Sequence, residues 1–161
     1  MRRKDREVTD QNRISEIIRS CQCMRLALAD GKSAYIAPVN FGYDCGQNAF
    51  YFHGAIKGRK IDLIRNNGYA GFEMDTDHQL ETADEACGFS FAYSSIVGEG
   101  KIALVEDTEE KRHGLNCIME HMAGSGRWEY PDQMLQRTAV IRLDVEEMCA
   151  KSNRSDRQAG K

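Results

Sequence analysis

The sequence has no apolar run approaching the ~20 residues that a membrane-spanning helix needs, so no membrane partner is expected. It also lacks a basic excess, because 22 Lys and Arg residues stand against 25 Asp and Glu residues and the formal net charge is −3. Without a basic face interleaved with aromatics, no nucleic-acid partner is expected either. No apolar segment follows the basic stretch Met1 to Arg6, which argues against a secretory signal and for a cytoplasmic protein.

Signatures of several large enzyme classes are also missing. The sequence contains no G-x-G-x-x-G, H-E-x-x-H or G-x-S-x-G segment. It contains no C-x-x-C pair, and its dispersed cysteines are expected to be reduced thiols in a cytoplasmic protein. The six cysteines are Cys21, Cys23, Cys45, Cys87, Cys117 and Cys149.

The pattern of apolar residues predicts a mostly β protein. A chain of 161 residues most simply forms one domain, here residues 1–148, followed by a polar and flexible tail at 149–161. Six strands with short flanking helices favour a small antiparallel barrel over a parallel βαβ sheet. The predicted strands are 23–29, 34–42, 48–53, 69–75, 88–105 and 137–145, the predicted helices are 10–20, 57–66 and 107–122, and residues 76–87 are predicted to be a loop.

A cluster of cations marks the start of the second predicted helix. Lys57, Arg59 and Lys60 follow a strand that ends near His53, with glycines between them. Lys and Arg supply positive charge, and the first backbone N–H groups of a helix supply directed donors, so the arrangement suits a phosphate. A solvated loop that merely leads into a helix is the alternative interpretation.

Several segments in this order resemble the pyridoxamine 5′-phosphate oxidase-like FMN-binding split barrels, and the nitroimidazole-resistance branch most closely. The resemblance extends over roughly residues 1–148. One departure is Gly68, where relatives usually carry proline, although glycine also ends a helix. The segments are Pro38-Val39-Asn40-Phe41-Gly42-Tyr43, Tyr51-Phe52-His53-Gly54-Ala55, Lys57 to Asn67, Cys87-Gly88-Phe89-Ser90, Tyr93 to Lys101, and Ile118-Met119-Glu120-His121.

The resemblance implies a six-stranded antiparallel split β-barrel that forms a homodimer with FMN at the interface. It implies that Arg59 and Lys60, with Lys57 beside them, hold the FMN phosphate. It further implies that His53 lies close to the flavin, either as a proton donor or as a hydrogen-bonding partner. The strand residues implied near the flavin are Ala37, Pro38, Val39, Asn40, Ser94 and Ser95.

The function implied by the resemblance is that of an FMN-dependent oxidoreductase. A reduced nicotinamide or another donor would load the flavin, and the acceptor would be a small electron-poor molecule such as a nitroimidazole or nitroaromatic. The alternative is a non-catalytic split barrel that binds or carries flavin or haem.

A helical stripe of His113, Cys117 and His121 resembles a metal site at first sight. Residues i and i+8 of a helix are about 12 Å apart, so one ion cannot bind all three. The stripe is therefore interpreted as a packed helix face, and no metal site is predicted.

Overall fold

The computed structural model describes residues 3–153, of which 46% are strand and 31% helix. The mostly β prediction is thus confirmed, although these residues form eight strands instead of six. The strands are β1 (Glu7–Val8), β2 (Met24–Asp30), β3 (Ser33–Val39), β4 (Gly42–Asp44), β5 (Ala49–Ala55), β6 (Tyr69–Glu81), β7 (Ser90–Leu104) and β8 (Thr138–Ser152). The α-helices are α1 (Gln11–Ser20), α2 (Arg59–Asn67), α3 (Thr108–Ala123) and α4 (Asp132–Arg137).

The strands form one antiparallel sheet in the order β3-β2-β6-β7-β8-β5-β4, and β1 pairs with β8 off this path. Strands β3 and β4 stand at opposite ends of this order, yet only Asn40 and Phe41 separate them in the chain. Two residues span only about 7 Å, so the sheet must curve back on itself. The result is a split barrel, as the sequence predicted.

The largest departures from the predicted elements concern strand boundaries. The predicted strand 34–42 divides into β3 and β4. The predicted loop 76–87 is wrong in its first part, because β6 continues past an irregularity between Thr76 and Gln79. The predicted domain boundary at residue 148 falls inside β8, which runs on to Ser152. The rest of the predicted tail, 154–161, lies outside the described residues.

The inner face of the barrel holds the main core. Phe50 contacts Phe41 and Phe72 edge to face, with ring centroids 5.6 and 5.1 Å apart. Helix α1 closes one side of this core with three buried isoleucines, Ile14, Ile17 and Ile18. Asp10 starts the helix, because its side chain accepts a hydrogen bond from the Arg13 backbone N–H.

Helix α2 adds Ile61 and Ile64 to the same core. It ends at Gly68, which has a φ of 62° and donates its N–H to the Ile64 carbonyl, as expected for a left-handed glycine cap. Asn67 donates from Nδ2 to the Ala29 carbonyl at 2.7 Å. The helix is thereby fixed beside the β2–β3 turn, which sets the position of its first turn.

Helix α3 packs on the outside of the barrel over a second, smaller core of Ala49, Tyr51, Val105, Ile118 and Val140. Strand β4 approaches this helix so closely that a Cβ atom on Gly42 would lie 2.2 Å from the Cys117 carbonyl carbon. This approach brings the end of β4 to the helix face that carries His113 and Cys117. No helix within residues 3–153 is long and apolar enough to cross a membrane.

Candidate functional site

The first turn of α2 carries the groups that the predicted phosphate site requires. Gly58 precedes the helix with a φ of 126° and, having no side chain, leaves the first N–H groups without a side-chain cap. The first backbone hydrogen bond of the helix runs from the Asp62 N–H to the Gly58 carbonyl at 3.1 Å. The N–H groups before it are donors available to a ligand.

Lys60, in this first turn, is the most buried of the three cations. Its Nζ lies 5.9 Å from the centre of the Phe52 ring, and a Cβ atom on Gly54 would lie 3.2 Å from that nitrogen. Burial lowers the pKa of the Lys60 ammonium. Within residues 3–153 no carboxylate pairs with it, so a half-buried charge faces the site without an anion. A bound phosphate would supply that anion.

Arg59 and Lys57 differ from Lys60 in exposure and partners. Arg59 forms an ion pair with Asp30, with its Nε 2.8 Å from Oδ2, and its guanidinium lies 5.2 Å from the centre of the Tyr35 ring. An anion at this position would therefore compete with Asp30. Lys57 is exposed and has no ion pair within the described part of the chain.

His53 points away from this cation site. Successive strand residues project to opposite faces, and Phe52 faces Lys60 and the core, so His53 projects from the outer face. Its side chain is exposed, and it pairs across strands with Val140 of β8. Within one chain, the structure therefore does not bring the predicted chemical residue and the predicted phosphate anchor onto one face of β5.

The predicted flavin-lining segment of β3 alternates in the same way. Ala37 and Val39 are each only 7% exposed and face the core, which leaves only their backbone groups for a ligand. Pro38 is exposed on the other face. Asn40 follows the strand, is exposed, and donates from Nδ2 to the Gln22 carbonyl at 3.2 Å.

The side chains of the two predicted serines of β7 lie on opposite faces of the sheet. Ser94 is fully buried, with its hydroxyl 2.9 Å from the Asp77 carboxylate and 3.2 Å from the Ser152 hydroxyl. Its hydroxyl is therefore occupied inside the barrel, which leaves only the backbone groups of Ser94 for the predicted cofactor contact. Ser95 projects from the outer face opposite Asp75 and is partly exposed.

A polar cluster that the sequence analysis did not assemble lies where β4 meets α3. His113 Nε2 lies 2.7 Å from Asp44 Oδ2 and 3.6 Å from Cys117 Sγ. Although burial opposes it, hydrogen bonds from His113 and from the Gln47 and Gly46 backbone lower the pKa of Asp44. Burial and the nearby Asp44 carboxylate raise the pKa of the Cys117 thiol to about 11.

His121 does not belong to that cluster. Its Nε2 lies 2.8 Å from the Cys21 carbonyl oxygen, and its ring packs 4.4 Å from that of Phe41. The packed-face interpretation thus applies to His121. Asp44 joins the other two residues only through the fold, because β4, which ends at Asp44, packs against α3.

A sequence model of the pyridoxamine 5′-phosphate oxidase family matches residues 10–152. The chain belongs to this family. The resemblance expected from the sequence is thus confirmed. No curated protein sequence matches this member of the family with significance.

Many solved structures are similar to this member of the family, among them the following three. A candidate 5-nitroimidazole antibiotic resistance protein from Bacteroides thetaiotaomicron is 28% identical with a TM-score of 0.79, covering 91% of this chain and 86% of its own. A flavocytochrome from Azotobacter vinelandii is 18% identical, with a TM-score of 0.80, and the match covers 96% of this chain and 72% of the flavocytochrome. A FAD- and haem-binding protein from Mycobacterium smegmatis is 14% identical, with a TM-score of 0.82, and the match covers 93% of this chain and 74% of the other protein. The last two establish similarity of fold alone.

Proposed function

We propose that this protein is an FMN-dependent oxidoreductase that reduces a small electron-poor acceptor, such as a nitroimidazole or another nitroaromatic. The observation that carries the proposal is Lys60, a half-buried cation without an acidic partner in the described chain, beside the uncapped first turn of α2. Family membership supports a flavin as the phosphate-bearing ligand. The 28% identity to a candidate 5-nitroimidazole resistance protein supports the choice of acceptor.

The residues present fit the phosphate of FMN. Lys60 and the first N–H groups of α2 would bind it, with Arg59 moving from Asp30 to the phosphate and Lys57 adding exposed charge. Pro38 and the region around it would lie along the ring. When bound, the flavin supplies the capacity to take electrons from a reduced nicotinamide and pass them to the acceptor.

The role that fits His53 is hydrogen bonding or proton donation to the acceptor. Among the four histidines it is the one without a hydrogen bond or ring contact to the described residues. An exposed imidazole that is not held by other side chains can donate a hydrogen bond or a proton to a bound acceptor. We expect His53→Ala to retain FMN and lose turnover at least tenfold. Full activity in that variant would remove His53 from the mechanism.

We further propose a homodimer that forms across the outer face of the sheet, with FMN at the interface. Ile36 and Val97 are 61% and 55% exposed, and the register through Ala27 and Arg25 puts both on that face. Exposed aliphatic side chains on one face favour association. Light scattering of the Ile36→Glu variant should show a shift from dimer to monomer; an unchanged dimer would place the interface elsewhere.

The second candidate function is a non-catalytic carrier of flavin or haem. The free and exposed imidazole of His53 favours it, because imidazole is a common axial ligand of haem iron. This candidate would use the same barrel and would not reduce an acceptor.

Absorption spectroscopy of the purified full chain separates these candidates. A flavin spectrum with FMN released on denaturation supports the oxidoreductase, a Soret band supports the haem carrier, and failure to bind either added cofactor would refute both. With FMN bound, oxidation of NADH or NADPH should be stimulated by a nitroimidazole. FMN binding without any stimulated oxidation would support a flavin carrier over the enzyme.

A further inference from the structure

The cluster of Asp44, His113 and Cys117 combines three donor types that transition metals use. A carboxylate oxygen, an imidazole nitrogen and a sulfur atom lie within 4.8 Å of one another. We propose that these three side chains form a Zn²⁺ site with one coordination position left for water. The site is separate from the cation turn of α2 and from the proposed flavin function.

The distances approach those of a tetrahedral zinc centre. With Zn–N of about 2.0–2.1 Å and Zn–S of about 2.3 Å, nitrogen and sulfur ligands of a tetrahedral ion lie about 3.6 Å apart. The distance from His113 Nε2 to Cys117 Sγ is 3.6 Å. These residues are four apart on α3, so consecutive turns of one helix hold both donors on one face.

Asp44 supplies the third donor from a different element. Its Oδ2 is 2.7 Å from His113 Nε2, a hydrogen-bond distance at which a proton lies between the two atoms. Nitrogen and oxygen ligands of zinc lie about 3.3 Å apart, so the pair needs to open by only about 0.6 Å for the ion to replace that proton. Rotation of either side chain provides this movement.

The surroundings hold the donors in place, as outer contacts do at metal centres. The Gly46 and Gln47 N–H groups donate to Asp44 Oδ1 at 2.9 and 3.1 Å, which orients the carboxylate. Oδ2 is directed toward His113 and also accepts a hydrogen bond from Gln47 Nε2 at 2.8 Å, so it retains lone-pair capacity for an ion. The His113 ring packs edge to face on Tyr51, with centroids 5.5 Å apart. The donors are therefore arranged before any ion binds.

Charge and access also suit Zn²⁺. One carboxylate, one thiolate and one neutral imidazole balance the two positive charges of the ion, and a mixed sulfur, nitrogen and oxygen set selects zinc over Ca²⁺ or Mg²⁺. Cys117 lines a cavity of about 300 Å³ together with Cys45 and Glu120, which gives an ion and a water molecule a route to the sulfur.

Zinc binding to the reduced, chelator-treated full chain tests the proposal without any flavin. Equilibrium dialysis with elemental analysis should give one zinc per chain. His113→Gln and Cys117→Ser should each weaken binding by about 100-fold or more. In the Co²⁺-loaded protein, the thiolate-to-metal charge-transfer band should vanish in Cys117→Ser.

The chain offers close controls for both substitutions. His78 is 45% exposed and lies 2.7 Å from Asp75, which matches the exposure and the carboxylate distance of His113. His78→Gln and Cys87→Ser should therefore leave zinc affinity within about twofold of the wild type. Because Cys117→Ser is nearly isosteric, it decides the outcome if His113→Gln fails to fold. Wild-type binding far below one zinc per chain, or unchanged affinity in Cys117→Ser, would overturn the proposal.

Discussion

Replacing Lys60 by methionine is expected to move cofactor affinity and apo-protein stability in opposite directions. Methionine keeps the length and apolar contacts of the side chain beside Phe52 but removes the charge. A hydrogen bond from a charged donor contributes about 1.5–3 kcal/mol, so FMN affinity should fall about 10- to 150-fold. Without FMN, the same change removes a half-buried charge that has no acidic partner in the described chain, so the free energy of unfolding should not fall.

The stability difference between the apo forms of Lys60→Met and the wild type should depend on pH in a defined direction. Burial lowers the pKa of Lys60 below the ordinary lysine value of 10.5, so the unfolded chain holds this proton more tightly than the folded chain. The destabilisation is complete at pH values below the folded pKa and is relieved as pH rises toward 10.5. The stability difference between Lys60→Met and the wild type should therefore shrink over that alkaline range.

Fluorescence titration with FMN and urea unfolding of the apo-protein measure the two effects. Lys101→Met is the matched control, because Lys101 is 75% exposed and pairs with Glu146 beyond the far end of α2. It should change FMN affinity by less than about twofold and stability by less than about 0.5 kcal/mol. The reasoning fails if Lys60→Met binds FMN as the wild type does, or if its apo form loses more than about 1 kcal/mol.

Three further predictions concern α3 and the strands that it contacts. Gly42→Ala should lower the free energy of unfolding by about 2–4 kcal/mol, because its Cβ would lie 2.2 Å from the Cys117 backbone. Gly46→Ala is the control and should cost much less, because its Cβ would lie 3.3 Å from Asp44 Oδ1. Equal losses of stability for the two variants in urea unfolding would contradict this prediction. Arg142→Leu should cost about 1–2 kcal/mol in the same assay, because it removes the guanidinium that donates to the partly exposed Glu110 and to Tyr51. A loss below about 0.5 kcal/mol would refute the network. In the metal-free protein, burial raises the pKa of the Cys117 thiol to about 11. Alkylation of Cys117 at pH 8 should therefore be at least about tenfold slower than that of exposed Cys87. Equal alkylation rates of the two residues, measured by mass spectrometry, would contradict this prediction.

Local signals in the sequence predicted the helices well because their ends depend on neighbouring residues. Asp10 and Asp107 each accept a backbone N–H three residues ahead, and Gly68 ends α2 in the left-handed conformation. These contacts form within one turn of chain, so they are readable without knowledge of the rest of the fold. Helix α4 was missed because it has only six residues and no side-chain cap.

Strand ends and facing were harder to predict, because they depend on partners far along the chain. Strand β6 continues past Thr76 only because β7 pairs with it beyond the irregularity at that residue. The inward direction of the Ser94 side chain could have been predicted, because Ser94 lies two residues from each of the buried residues Ala92 and Ile96 on the same strand. The resemblance to a family marked the segment as a unit and did not say which of its side chains point inward.

The two candidate sites differ in the same way, because one is formed by neighbouring residues and the other by residues far apart in the sequence. The cation turn could be predicted because Lys57, Arg59 and Lys60 are adjacent in sequence. The contact of Asp44 with His113 could not, because 69 positions separate them and the close approach at Gly42 brings them together. The helix stripe alone aligned His113 and Cys117 with His121, whose imidazole lies against the Cys21 carbonyl and not in the cluster.

The two ends of the curved sheet have a consequence for solubility. An open strand edge offers unpaired N–H and C=O groups to other chains and is a starting point for aggregation. Here one end strand, β4, has only three residues, and the other, β3, contains Pro38, which has no N–H to donate. Neither edge of the split therefore presents a long, regular ladder, and Pro38→Ala should increase the tendency of the protein to form strand-paired polymers.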